Sequence, residues 1–136
     1  MFEKGIYALI FKISSCEIKV GKLGKLKFEG KYVYIGSNQR GGRIKRHLKK
    51  DKVQKWHIDY LTNSSKIELI ITMPLTKKFE EKLAKNLVKK FEVVKNFGSS
   101  DCKDSGHLFK FVPNLLTELK KFAKNEQTKI IYHIIK

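Results

Sequence analysis

Residues 31–48 read Lys31-Tyr-Val-Tyr-Ile-Gly-Ser-Asn-Gln-Arg-Gly-Gly-Arg-Ile-Lys-Arg-His-Leu48, and the change of pattern inside this stretch decides the fold. Lys31 to Ile35 is aromatic and β-branched and is bounded by Gly30 and Gly36, the signature of a strand. Gly36-Ser-Asn-Gln-Arg-Gly-Gly42 is a glycine-rich loop, and Gly41 and Gly42 let backbone amides and a helix start approach an anion. From about Arg43 to Lys50 the spacing predicts a helix. Arg43 and His47 stand four apart and share one face, with Ile44 and Leu48 on another, the expected core side.

Upstream of this stretch the chain reads as strands. Gly5 to Ile13 is rich in Ile, Leu, Phe and Tyr, Cys16 to Val20 alternates apolar with charged residues, and Leu26 to Phe28 continues the pattern. Gly21, Gly24 and Gly30 punctuate the turns of a meander. Downstream, helices are expected at about residues 53–62, carrying Trp56, Ile58, Tyr60 and Leu61, and at about 77–91. Strands are expected at Ile67 to Met73 and at Val93 to Phe97, followed by a polar loop from Gly98 to Gly106. Pro113 suits a helix first turn, and Leu115, Leu116, Leu119, Phe122 and Ala123 form one stripe behind it. Lys129 to Ile135 reads as a closing strand. These elements predict one α+β domain over residues 1–136, with a mixed or antiparallel central sheet flanked by helices. Its core spans about residues 3–112, with an inserted N-terminal hairpin and a C-terminal helix and strand.

Charge narrows the function. The 136 residues hold 30 Lys and Arg against 13 Asp and Glu, a net charge of +17, with 41% hydrophobic residues to build a core. Like charges at this density oppose compaction unless a polyanion neutralises them. Phosphate backbones do so with a gain from counterion release, so nucleic acid is the expected partner. No apolar run is long enough to span a bilayer, and the N-terminus lacks a signal-peptide pattern. Cys16 and Cys102 are too few for a disulfide scaffold, and a reduced cytoplasmic protein is expected.

One carboxylate is out of place. On the predicted helix at 77–91, Phe79, Leu83, Ala84, Leu87, Val88 and Phe91 define an apolar stripe, and Glu80 falls near its middle. Lys82, Lys85 and Lys89 lie opposite. A buried carboxylate is costly unless it is paired or holds a metal, so Glu80 is either salt-bridged to an arginine or a metal ligand. Glu81 projects towards the edge of the stripe and is the second choice.

Two tripeptides, Gly5-Ile6-Tyr7 and Tyr34-Ile35-Gly36, with Arg43-Ile-Lys-Arg-His47 on the following helix, resemble the GIY-YIG nuclease superfamily. Lys55-Trp-His-Ile-Asp-Tyr-Leu61 and Phe97-Gly-Ser-Ser-Asp-Cys102 followed by His107-Leu-Phe109 are similar to motifs of one archaeal and bacterial branch of it. The resemblance covers roughly residues 3–112. It implies a phosphodiester-cleaving site holding one Mg²⁺ or Mn²⁺. Tyr7 would be the general base or orient the water, with Tyr34 beside it. Arg43 would clamp the phosphate, and a guanidinium suits that role through its planar paired donors. His47 would donate to the phosphate or tune Tyr7, and Glu80 would hold the metal.

Around this site, Arg40, Lys45, Arg46, Lys49, Lys50, Lys55 and His57 are candidates for nucleic-acid contact. Of His57 and Asp59, two apart on a helix, His57 is the better candidate to reach the site. Ser99, Ser100, Asp101 and His107 form a candidate loop over it; Asn96 is a candidate for a further site residue. The expectation is a metal-dependent endonuclease acting on DNA, structure-specific and working in repair or recombination. A DNA- or RNA-binding module that kept the fold without efficient chemistry is the alternative.

Overall fold

The computed structural model describes residues 2–19, 24–49, 57–94 and 107–136. Its centre is a long antiparallel pair, β1 (Ile6–Lys19) and β2 (Lys25–Ser37), registered from Ile6 opposite Ser37 to Lys19 opposite Lys25. The sequence suggested several short strands here, broken at Ser14-Ser15 and Gly30. Instead the ladder runs through: its register shifts between Ile13 and Cys16, and Gly30, with φ +97°, stands opposite Ile13. A register shift facing a left-handed glycine bends a strand pair without ending it.

Further strands extend the sheet on both sides. β3 (Lys66–Met73) pairs with β1, and β6 (Ile131–Ile134) pairs with β3. On the other flank β5 (Leu108–Lys110) pairs with β2, and β4 (Val93–Val94) with β5. The order is β4-β5-β2-β1-β3-β6, and every pairing is antiparallel. The α+β domain expected from the sequence is therefore the one observed. β5 was not anticipated, because three residues are too few to show a period.

Helices cover both faces, which explains why β1 opens as an almost unbroken apolar run. Tyr7, Leu9, Phe11 and Ile13 turn to the face shared with Tyr32, Tyr34 and Ile44 on α1 (Arg43–Leu48), and with Ile58 and Leu61 on α2 (His57–Thr62). Ile6, Ala8 and Ile10 turn the other way with Val33 and Ile35. They meet Leu83 and Leu87 of α3 (Lys78–Val88) and Leu115, Leu119 and Phe122 of α4 (Pro113–Asn125). α4 thus belongs to the same core as α3. It opens on Pro113 after an extended Val112, as a proline at the first turn requires. No helix among the described residues is long and apolar enough to cross a membrane.

The described helices are shorter than the periodicity suggested. α1 stops at Leu48 because Lys49 turns extended, with ψ 137°. α3 ends at Val88, and the amides of Lys90 and Phe91 close back on the Leu87 carbonyl. The expected start of the second helix at residues 53–56, with Trp56, and residues 95–97 of the strand at 93–97 lie outside the described residues, as does the loop at 98–106.

Gly5 leads into β1 with φ +149°, and a Cβ there would stand 2.1 Å from the Met73 carbonyl oxygen. That neighbour is backbone in a paired strand and cannot swing aside. Gly5→Ala is therefore expected to cost at least about 2 kcal/mol in urea unfolding, through overpacking and an unfavourable φ. A loss below about 0.5 kcal/mol, the range of an ordinary surface change, would contradict the tight contact.

Candidate active site

The β1–β2 register puts Tyr7 opposite Gly36, and the Tyr7 ring lies across the glycine. A Cβ on Gly36 would come within 2.4 Å of both Cζ and the hydroxyl oxygen of Tyr7, so glycine is what lets the ring lie there. The hydroxyl reaches His47 Nε2 at 2.5 Å. Tyr34 meets the same imidazole edge-on, with ring centroids 5.9 Å apart. Tyr7 and His47 are fully buried and Tyr34 nearly so. Burial pushes the Tyr7 phenol well above its ordinary range, and neighbouring Tyr34 adds to the rise. The Arg43 charge opposes that rise, while the Glu80 and Asp59 charges reinforce it.

His47 sits where the sequence did not put it. The i, i+4 spacing placed it on the Arg43 face, away from the core. In α1, Ile44 and His47 are instead the two buried residues, three apart, and Leu48 and Arg43 are half-buried. The six-residue helix can bury only one narrow stripe, and the Tyr7 hydroxyl gives an inward imidazole its polar partner.

The loop before α1 is organised by Asn38, a residue the sequence reading passed over. Its side chain is 1% exposed, and Oδ1 accepts from the amides of Arg43 at 2.9 Å and Ile44 at 3.2 Å. The Asn38 amide donates to the Gly5 carbonyl, and Nδ2 donates to the Glu3 carbonyl. The expectation that the first amides of this helix meet an anion is therefore corrected: Asn38 already occupies two of them. Asn38 stands four residues before Gly42, the N-cap of α1, so the usual capping pattern does not point to it.

Beside this loop, Ser37, Gln39, Arg40, Arg43, Arg46 and Lys77 line a cleft of about 450 Å³, and among the described residues no carboxylate is part of its wall. Arg40, Lys45 and Lys49 are exposed, where a nucleic-acid contact needs them. Arg46 is tied inward instead. Its guanidinium donates at 2.8 Å to Asp59 Oδ2, a carboxylate with no exposed side-chain surface. Asp59, and not a partner outside the fold, thereby fixes α1 to α2. His57 opens α2. Its side chain lies outside the described residues, as do Lys50, Lys55, Asn96, Ser99, Ser100, Asp101 and Cys102.

Glu80 falls on the buried stripe of α3 with Leu83, Ala84 and Leu87, as its periodicity required, whereas Glu81 is exposed. Its partner is a histidine and not the arginine considered from sequence. His107 Nδ1, on a residue 1% exposed, stands 2.8 Å from Glu80 Oε2. The other oxygen, Oε1, is buried and has no hydrogen-bond partner among the described residues. The His107 carbonyl accepts from the Ile35 amide, which moors this pair to the Tyr34-Ile35-Gly36 strand end. Glu80 belongs to the α3–α4 layer and Tyr7 to the α1–α2 layer, and the Glu80 charge still acts on the Tyr7 phenol.

This donor set fits a hard divalent cation. An unpaired buried carboxylate oxygen is costly as it stands, and Mg²⁺ commonly takes one or two carboxylates while keeping several waters. Among the described residues no group of three or more His, Cys, Asp or Glu side chains gathers as ligands.

A tyrosine in the unfolded chain ionises near about pH 10, and Tyr7 stays protonated beyond that point. A folded-state value raised above the unfolded one means its contribution is complete below about pH 10 and is lost as pH climbs towards the folded value. Urea unfolding across this alkaline range is expected to show a fall in stability that Tyr7→Phe reduces. An identical fall in the variant would mean that Tyr7 titrates like an unfolded tyrosine.

Comparison with curated proteins and with solved structures gives no match. The family model described as a domain of unknown function, DUF123, matches residues 6–128, nearly the whole chain, and the protein belongs to that family.

Proposed function

We propose that the protein is a metal-dependent endonuclease that hydrolyses phosphodiester bonds in DNA. The reading joins the GIY-YIG resemblance to one observation above all: the Tyr7 hydroxyl held 2.5 Å from His47 Nε2, within reach of the Arg43 and Glu80 charges. In this reading His47 Nε2 takes the proton of the Tyr7 hydroxyl, and the phenol oxygen accepts a proton from the attacking water. That relay lets a phenol with a raised pKa serve at neutral pH. Tyr34 stacks edge-on against His47 and keeps the imidazole aimed at Tyr7. Arg43 meets the charge that builds on the phosphate. Glu80 would hold Mg²⁺ or Mn²⁺ through Oε1, and the ion would polarise the phosphate. The protein would work in the cytoplasm, in repair or recombination.

A second reading is a DNA- or RNA-binding module without chemistry. The observation that favours it is the burial of Tyr7, which opposes formation of a phenolate.

Labelled branched, nicked and single-stranded DNA, with RNA alongside, incubated with Mg²⁺, Mn²⁺ or EDTA, separates the two readings. Metal-dependent cleavage is expected, with Tyr7→Phe and Glu80→Gln each lowering kcat by at least about 10²-fold. Tight, salt-sensitive binding without cleavage of any substrate would replace the enzyme with the binding module.

A further inference from the structure

The cleft beside the Tyr7–His47 pair holds cations with no role in the chemistry above. Arg40 comes from the loop after β2, and Lys77 from the residue that leads into α3. Both are exposed, and neither has an ion-pair or hydrogen-bonding side-chain partner among the described residues. Elsewhere lysines of this face of the fold find carboxylates: Lys82 pairs with Glu126 and Lys90 with Glu118. Two unpaired cations from separate elements on one concave, carboxylate-free wall are a binding arrangement for an anion.

The walls are held at a fixed separation. Gln39 Nε2 donates to Ser37 Oγ at 2.7 Å and to the Leu75 carbonyl at 3.0 Å. That side chain ties the loop carrying Arg40 to the segment leading to Lys77. The cleft also spans the break between the two layers of the site. Arg43 lines it and acts on Tyr7, while the Lys77 carbonyl accepts from the amide of Glu80.

We propose that this cleft is a second phosphate seat, in which Arg40 and Lys77 grip the phosphodiester next to the one at Arg43. The proposal rests on the nucleic-acid reading above and deepens it. A single strand crosses the end of the sheet, with one phosphate at Arg43 beside Tyr7 and its neighbour between Arg40 and Lys77.

The test measures binding of a short fluorescein-labelled single-stranded oligonucleotide over a range of salt in EDTA. Inorganic pyrophosphate is titrated in parallel and followed by amide NMR shifts. Lys77→Gln and Arg40→Gln combined are expected to lower the single-strand salt slope by about 0.7, the one phosphate they share, and Lys77→Gln alone to weaken binding, while Lys89→Gln just past α3 does not. Pyrophosphate is expected to shift the amides of Gln39, Arg40 and Lys77. Oligonucleotide binding to the wild type that is equally strong in Lys77→Gln and Lys89→Gln would overturn the seat and leave the nucleic-acid reading standing. Pyrophosphate shifts at the cleft without oligonucleotide binding would keep the seat and remove the nucleic-acid reading.

Discussion

The Tyr7 ring lies across Gly36, and most of the site is arranged around that crossing. Because position 36 has no side chain, the phenol can lie over the β2 backbone and project towards α1. His47 turns inward to meet its hydroxyl, which sets the rotation of α1, and Ile44 then faces the same core. Asn38 fixes where that helix begins, and the Arg46–Asp59 pair fixes it to α2. Each of these contacts constrains the others. Arg43, the first residue of α1, is left at the rim of a cleft with its charge acting on Tyr7.

The distribution of carboxylates gives the net charge a direction. The 13 acidic residues are few, and several are used inside the fold or against lysines of the α3–α4 layer. Asp59 and Glu80 are buried, and Glu118 and Glu126 pair with Lys90 and Lys82. Exposed pairs of this kind add little stability, about 0–1 kcal/mol each. Their effect is on the field: the cleft wall that holds Arg40, Arg43 and Lys77 is left without a negative charge of its own. Glu3 is used structurally too. It accepts from Thr72 and lies 3.2 Å from His133, and hydrogen bonds from its own backbone and Thr72 hold its carboxyl below the usual range. The start of the chain is thereby tied to β3 and the edge strand β6.

The two faces of the sheet, the strand–loop–helix order and the place of Glu80 were legible in the sequence, because each follows from a period summed over many residues. Glu80 is the clearest example, since Leu83, Ala84 and Leu87 fix its helical face whatever lies opposite. Features that depend on a single long-range contact were not legible. β5 is a short strand whose entry is held by the Ile35 amide on the His107 carbonyl, and no local pattern announces it. The inward turn of His47 needed knowledge that Tyr7 would be across from it, forty positions away. Asp59 pairs with Arg46 through packing of α1 on α2 that helical spacing alone does not specify. The Asn38 contacts reach across a glycine-rich loop to amides five and six positions on, a span that the usual capping pattern does not cover.

The central claim is the proposal that the buried Glu80 carboxylate, with one oxygen against His107 and the other without a partner among the described residues, holds a divalent cation. Mn²⁺ binding followed by electron paramagnetic resonance, in wild type and in Glu80→Gln, tests it without reference to any substrate. One Mn²⁺ per chain in the wild type, lost in the variant while its fold is retained, is the predicted result. Equal Mn²⁺ binding in both proteins, or none in the wild type, would contradict the claim.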